Sequence, residues 1–322
     1  MFGTLERSCL HFSLLGPPQV YRENRLLVFP SRKALALLIY LAVEGKAYSR
    51  KTLSELFWSE SDAAHARATL RVIVSELREV LDEVTLPMNN GNFDHVPHLL
   101  IDRNVLSLDL SSRVSLDLHT LQVASSLAQS TFPASMTRAE KVYLMQQVQL
   151  QEAINLVRGE FLSDFSLQNA PHFDDWVRFQ REYWHLRMDT VFDQLSQSYE
   201  ESGKIEQAIA ITGRWLALSP LKEEASQRLM RLHLKSGNRI AALQVYESLR
   251  AVLASELHAE PSPQTITLAE RIRVPVPARH EKQRSHRASS PLLALLNAPL
   301  IGRTREYDCL LEAYHATRSG KL

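Results

Sequence analysis

Arg67, Arg71 and Arg78 are the residues whose type and spacing point most directly to chemistry. In a helix turning about 100° per residue the three project from one shared face. Guanidinium groups presented together can hold phosphates, and in a major groove they can pair bidentately with O6 and N7 of guanine. Arg67 and Arg71, nearer the start of the segment, suit base edges, with His65 and Thr69 as lesser candidates for a phosphate or a thymine. The same pattern also fits a solvated helix face with intrahelical pairing, since Glu79 stands beside Arg78. Net charge does not decide between them, because the first 113 residues hold 13 Lys and Arg against 13 Asp and Glu.

Arg32, Lys33, Arg50 and Lys51 fall at the starts of two further predicted helices, where cations and helix N-termini together can seat phosphates. Arg103 sits at the tip of a predicted hairpin, within reach of a phosphate or an adjacent groove, although a lone turn arginine is often simply solvated. Catalytic signatures are missing: there is no GxGxxG, GxSxG or HExxH pattern. His95 and His98 have a metal-like spacing but lack a third ligand, so no metal or cofactor is expected. Trp176, Tyr183, Trp184 and Trp215 lie in helical settings and read as core packing, with Trp215 between repeat helices.

The elements that must position these groups follow from periodicity. Leu10, Phe12 and Leu14 alternate with polar residues before Gly16-Pro17-Pro18, and a second pair of strands follows in 20–29. Ser31 can cap a first helix that Gly45 ends, and a second helix starts at Ser49. Ser59 followed by Asp62 fits a capping box for the third, whose apolar stripe is Leu70, Val74, Leu77 and Leu81. After a polar loop, 98–101 and 105–110 are strand-like runs joined by Asp102-Arg103-Asn104. Strands, three helices and a terminal hairpin make a winged helix.

From about Val114 to the early 270s the pattern reads as helical throughout. Leu195, Gly203 and Ala208 recur 34 residues later as Leu229, Gly237 and Ala242, the tetratricopeptide period. Two such units rarely stand alone, so the helices of 117–190 should pack on them. Residues 273–299, with Pro275, Pro277, Pro291 and Pro299 and the basic run Arg279, Lys282, Arg284 and Arg287, have linker composition. At 322 residues, 45% hydrophobic and 23% charged, with a net charge of +1, the chain has the makeup of a water-soluble protein of two or more modules. Cys9 and Cys309 lie too far apart in sequence to suggest a disulfide framework and fit a reducing cytoplasm. No apolar run approaches the roughly 18 residues of a membrane span, and the N-terminus does not read as a secretion signal.

The stretches FPSRKALALLIYLA, SRKTLSELFW and ARATLRVIVSELREVL resemble the DNA-binding domain of SARP-type bacterial regulators. GEFLSDF, DDWVRFQRE, the run at 216–250 and ELHAEPSPQT resemble the bacterial transcriptional activator domain that follows it. The loop at 88–97 departs from the glycine-tyrosine pattern of that family's wing. PLIGRTREYDCLLEAYHA resembles the lead-in to an AAA/STAND-type NTPase module, but the P-loop pattern fails, with His315 where its first glycine belongs and Leu322 after Gly320-Lys321. No nucleotide site is expected in this chain.

The resemblance implies a mainly α fold: an N-terminal winged-helix domain with small β-sheets at 1–112 and an all-α, TPR-like activator domain at 113–272. A linker at 273–299 and a truncated NTPase lead-in at 300–322 complete the expected organisation. It implies a cytoplasmic, non-enzymatic transcriptional activator bound to double-stranded promoter DNA, with self-association or RNA polymerase contact through the helical domain. An adaptor of the TPR type, whose winged helix does not bind DNA, is the alternative.

Overall fold

The computed structural model describes residues 9–82, 98–110, 114–129 and 138–274. The polar loop at 88–97 with His95, the linker and the NTPase-like segment lie outside the described residues, apart from the linker's first two positions. Residues up to Ala269 belong to one compact unit.

Alternation at the N-terminus produces β1 (Leu10–Ser13), which pairs antiparallel with β2 (Gln19–Arg22) in the register Leu10↔Arg22 and Phe12↔Val20. Glu23 and Asn24, with φ of 48° and 66°, make the tight turn into β3 (Arg25–Leu26). Helix α1 (Arg32–Glu44) starts where the Ser31 hydroxyl accepts from the Ala34 amide at 3.2 Å, and ends at Gly45, whose φ is 66°. A two-residue strand, β4 (Tyr48–Ser49), leads into α2 (Arg50–Phe57), capped by Ser49 through the Thr52 amide at 3.0 Å.

Helix α3 (Ala63–Asp82) is capped differently from the sequence expectation. Asp62, not Ser59, is the cap: its Oδ1 accepts from the Ala64 and His65 amides at 2.9 and 3.0 Å. Ser59 stands a turn too early, in the bend that closes when the Ser61 amide donates to the Trp58 carbonyl. The expected stripe holds, with Leu70, Val74, Leu77 and Leu81 all buried together with Ala66 and Ile73. At the far end Arg22 of β2 donates to the carbonyls of Val80 and Leu81, placing a cation on the helix C-terminus. Strands β5 (Leu99–Ile101) and β6 (Val105–Leu108) form the expected hairpin and pair with β4 in the order β4-β6-β5.

Val114–Leu116 is not helical as the periodicity suggested. It is a strand, β7, parallel to β1 with Leu10↔Val114 and Phe12↔Leu116, completing a sheet ordered β3-β2-β1-β7. Three residues are too few to show a period, so the helical run that follows masks them. The helical array comprises α4 (Asp117–Ala128), α5 (Arg138–Leu156), α6 (Pro171–Glu201), α7 (Ile205–Leu218), α8 (Glu223–Lys235), α9 (Arg239–Glu256) and α10 (Pro263–Arg273).

The 34-residue period is realised as the hairpins α6–α7 and α8–α9. Gly203 and Gly237 turn them with φ of 74° and 81°, and Ala208 and Ala242 are completely buried where paired helices meet. Trp215 lies between them as expected, 2% exposed, with its indole N–H on Asp189 at 2.6 Å. Helices α4 and α5 pack on α6, where Gln147 donates to Ser198 at 2.9 Å and Tyr199 to Gln151 at 2.8 Å. Replacing Ala208 with leucine is expected to overpack the α6–α7 contact and cost about 1–3 kcal/mol. An unchanged denaturation midpoint would show that the slot has room.

The sheet, the three helices and the array share a core. Tyr40 of α1 and Phe57 of α2 meet Trp176 and Phe173 of α6 at centroid distances of 5.0 and 5.1 Å. Around them Glu44 accepts from the Trp176 indole at 2.8 Å and the Tyr48 hydroxyl at 2.6 Å. Burial opposes the Glu44 charge, yet these hydrogen bonds outweigh it and hold the carboxyl below its ordinary pKa. A second seam joins the end of β1 to the start of the array. Leu14 and Leu15 donate to Asp117 at 2.6 and 2.8 Å, Arg158 donates to Leu15 and Leu162 to Leu14. Gly16 is required there: its φ is 134°, and a Cβ would stand 2.9 Å from that of Arg158.

Candidate nucleic-acid interface

Capping by Asp62 and burial of the Leu70–Leu81 stripe fix how α3 is rolled, and that roll presents the arginines. Arg67, Arg71 and Arg78 are all exposed, within about 40° of one another around the helix and beside the buried stripe. The Arg67 Nε donates to the Ala63 carbonyl at 2.8 Å, folding that side chain back along the first turn. His65 is exposed at the N-terminal end, where its amide serves the Asp62 cap. Backbone hydrogen bonds from His65 and Ala64 lower the Asp62 pKa, so the cap stays charged and negative charge sits at the helix N-terminus.

A second group forms at the hairpin. Arg103 is exposed at the tip, its amide donating to Asp102 at 2.7 Å, and the Arg50 amide donates to the Asn104 carbonyl at 2.9 Å. The hairpin tip is thereby held against the start of α2, and Arg50 and Arg103 share one corner. Lys51 is next to them, highly exposed and 3.9 Å from Glu55, a pair worth little in water.

Arg32, Lys33 and Thr69 are elsewhere. Arg32 donates to the Asp164 carbonyl at 3.2 Å and stacks over Phe165 at 5.0 Å. Lys33 donates to the Phe57 carbonyl at 3.0 Å and lies 5.1 Å from the Trp58 ring, where burial lowers its pKa against the opposing pull of Glu60. Thr69 turns its hydroxyl to the His65 carbonyl at 3.0 Å. These three line a cleft of about 610 Å³ with Glu76 and Ser166. Thr69 is about 160° round the helix from Arg67, so the structure does not bring the cleft group onto the arginine flank.

One residue of this surface escaped the sequence reading. Val72 of α3 is 58% exposed, although every other branched aliphatic residue in that helix except Val80 is buried. Its offset from the Leu70–Leu81 stripe was the available signal. Among the described residues no three His, Cys, Asp or Glu side chains converge as metal ligands, and no helix is long and apolar enough to cross a membrane.

Comparison with known proteins shows what the chain is similar to. Residues 129–273 match the family described as the bacterial transcriptional activator domain. Over 264 residues, 82% of the chain, it is 27% identical to regulatory protein AfsR of Streptomyces griseus. The chain is similar to these bacterial regulators, and its helical part matches their activator domain. It spans about a quarter of the AfsR length, 24%. Another relative, the transcriptional regulatory protein MoaR1 of Mycobacterium tuberculosis, is 23% identical over 79% of this chain and 76% of its own. The fold resembles Mycobacterium tuberculosis EmbR, solved in complex with a low-affinity phosphopeptide, at a TM-score of 0.59 and 21% identity, covering 83% of this chain and 65% of that one. The relatives named AfsR and MoaR1 are regulatory proteins.

Proposed function

We propose that this protein is a sequence-specific, promoter-binding transcriptional activator of the cytoplasm whose N-terminal elements act as a winged helix. Helix α3 enters the major groove with Arg67 and Arg71 toward base edges, Arg78 and His65 along the backbone, and Arg103 with Arg50 and Lys51 on flanking phosphates. Arg32, Lys33 and Thr69, on the other side of α3, border the opposite wall of the groove from the cleft side. The helical domain serves self-association or RNA polymerase contact. The observation that carries this reading is the roll of α3: its apolar stripe is buried while three arginines stand exposed together on the adjoining flank. Charge of that kind on a helix edge is what a phosphate backbone attracts, and bidentate pairing supplies about 1–3 kcal/mol of discrimination per good pair.

The test is binding to duplexes selected from genomic fragments, titrated with salt. Affinity should fall steeply with salt, and the selected duplex should be preferred over a scrambled one. Arg67→Ala or Arg71→Ala should cost about 1–3 kcal/mol on the selected duplex and relax one base preference, whereas Lys51→Ala should weaken all duplexes alike. Equal affinity for selected and scrambled duplexes at every salt concentration would support a protein-binding adaptor instead.

A further inference from the structure

Val72 stands outside the hydrophobic core. It is 58% exposed at the middle of α3, with its isopropyl group in water, while Leu70, Ile73, Val74 and Leu77 around it supply the core. A β-branched residue at an exposed helical position is less favourable than the alanine, lysine or glutamine that such positions ordinarily take. One turn to either side stand Ala68 and Ser75, both exposed and too short to cover it. Val72 points away from the buried Leu70–Leu81 stripe, about 100° round the helix from Arg71 and about 140° from Arg67, so a polyanion drawn in by those cations and covering the exposed face of α3 would meet it. The major-groove floor of a duplex has one apolar feature to offer, the C5 methyl group of thymine.

We propose that Val72 is a specificity-determining residue that reads a thymine, seating its isopropyl group against the C5 methyl at one position of the bound site. The inference rests on the proposed entry of α3 into the major groove. Val72 also forms part of the wall of the cleft that holds Arg32 and Lys33, so a small apolar ligand is the competing occupant. Removing a methyl group from the DNA separates the two, since it leaves the protein and its cleft untouched.

The experiment uses the full chain and the selected duplex, with each thymine replaced in turn by deoxyuridine. At one position wild-type affinity should fall on the order of fourfold, the effect of exposing one buried methyl group. Val72→Ala should bind the thymine duplex more weakly by a similar factor and ignore the uracil at that position. Val72→Thr, which keeps a methyl group in nearly the same shape, should retain part of the preference. Thermal melting of both variants should match wild type, because the side chain buries little. A selected duplex still preferred over a scrambled one, yet insensitive to uracil at every thymine, overturns the assignment of Val72 and leaves the DNA-binding reading standing. No preference for the selected duplex overturns both.

Discussion

Replacing Phe173 with alanine is expected to destabilise the protein by about 3–5 kcal/mol, the range for deleting a large ring from a packed core. Phe173 is completely buried, with ring centroids 5.1 Å from Phe57, 5.4 Å from Trp176 and 6.4 Å from Phe165. Phe57 belongs to the three-helix part and the others to the array, so one deletion opens a cavity that both halves line. At about 2–4 °C per kcal/mol for a chain of this size, the melting temperature should drop on the order of 10 °C. The transition should stay single when followed by far-UV circular dichroism and by tryptophan fluorescence. Two separated transitions, with one of them at the wild-type temperature, would show that the halves do not depend on this contact.

The second large effect is one of pH. Asp117 is 1% exposed, and its Oδ2 accepts the Leu14 and Leu15 amides. Burial pushes its pKa from the ordinary 3.8 up to about 6, against the opposing pull of the Leu15, Leu14 and Leu118 amides and of Arg158. A carboxyl whose pKa is raised by folding binds its proton more tightly in the folded chain. Its ionisation therefore weighs against the fold above pH 6, and that burden disappears as the pH falls toward 4. Two units correspond to about 3 kcal/mol. Asp117→Asn, which keeps an oxygen for the amides and cannot ionise, should change the stability difference from wild type by about that amount between pH 7 and pH 4. Urea unfolding at several pH values measures it, and parallel stability curves for the two proteins would refute it.

What could be read in advance follows from the range of the forces involved. Helices α1 and α2 with their serine caps, the α3 stripe, the hairpin around Arg103 and the 34-residue repeat are local patterns, set by neighbours within about one turn or one period. The Asp62 cap was misassigned because Ser59 and Asp62 both satisfy the cap chemistry, and only the turn at Trp58–Ser61 decides which of them meets the free amides. Strand β7 has partners about a hundred residues away and no period of its own. The Tyr40–Trp176 and Phe57–Phe173 contacts are likewise invisible in sequence, where those rings read only as core. In the candidate interface the arginine flank was legible from spacing. The diversion of Arg32 to Asp164 and Phe165, and of Lys33 to Phe57 and Trp58, depends on tertiary neighbours.

The parallel pairing of β1 with β7 and the bridge from Leu15 to Phe161 bear on how the chain is made. A ribosome releases β1 first, and the residues that cover its far edge and its end emerge about 100 and 150 residues later, roughly 5–30 s at ordinary elongation rates. Throughout that interval the nascent N-terminus carries an unpaired strand edge with Leu10, Phe12, Leu14 and Leu15 close by, the kind of surface that recruits other strands or a chaperone. Nascent-chain protection of β1 should accordingly arrive late, once Phe161 has cleared the exit tunnel. An N-terminal half expressed by itself never reaches that stage, and its solubility is what the downstream helices supply.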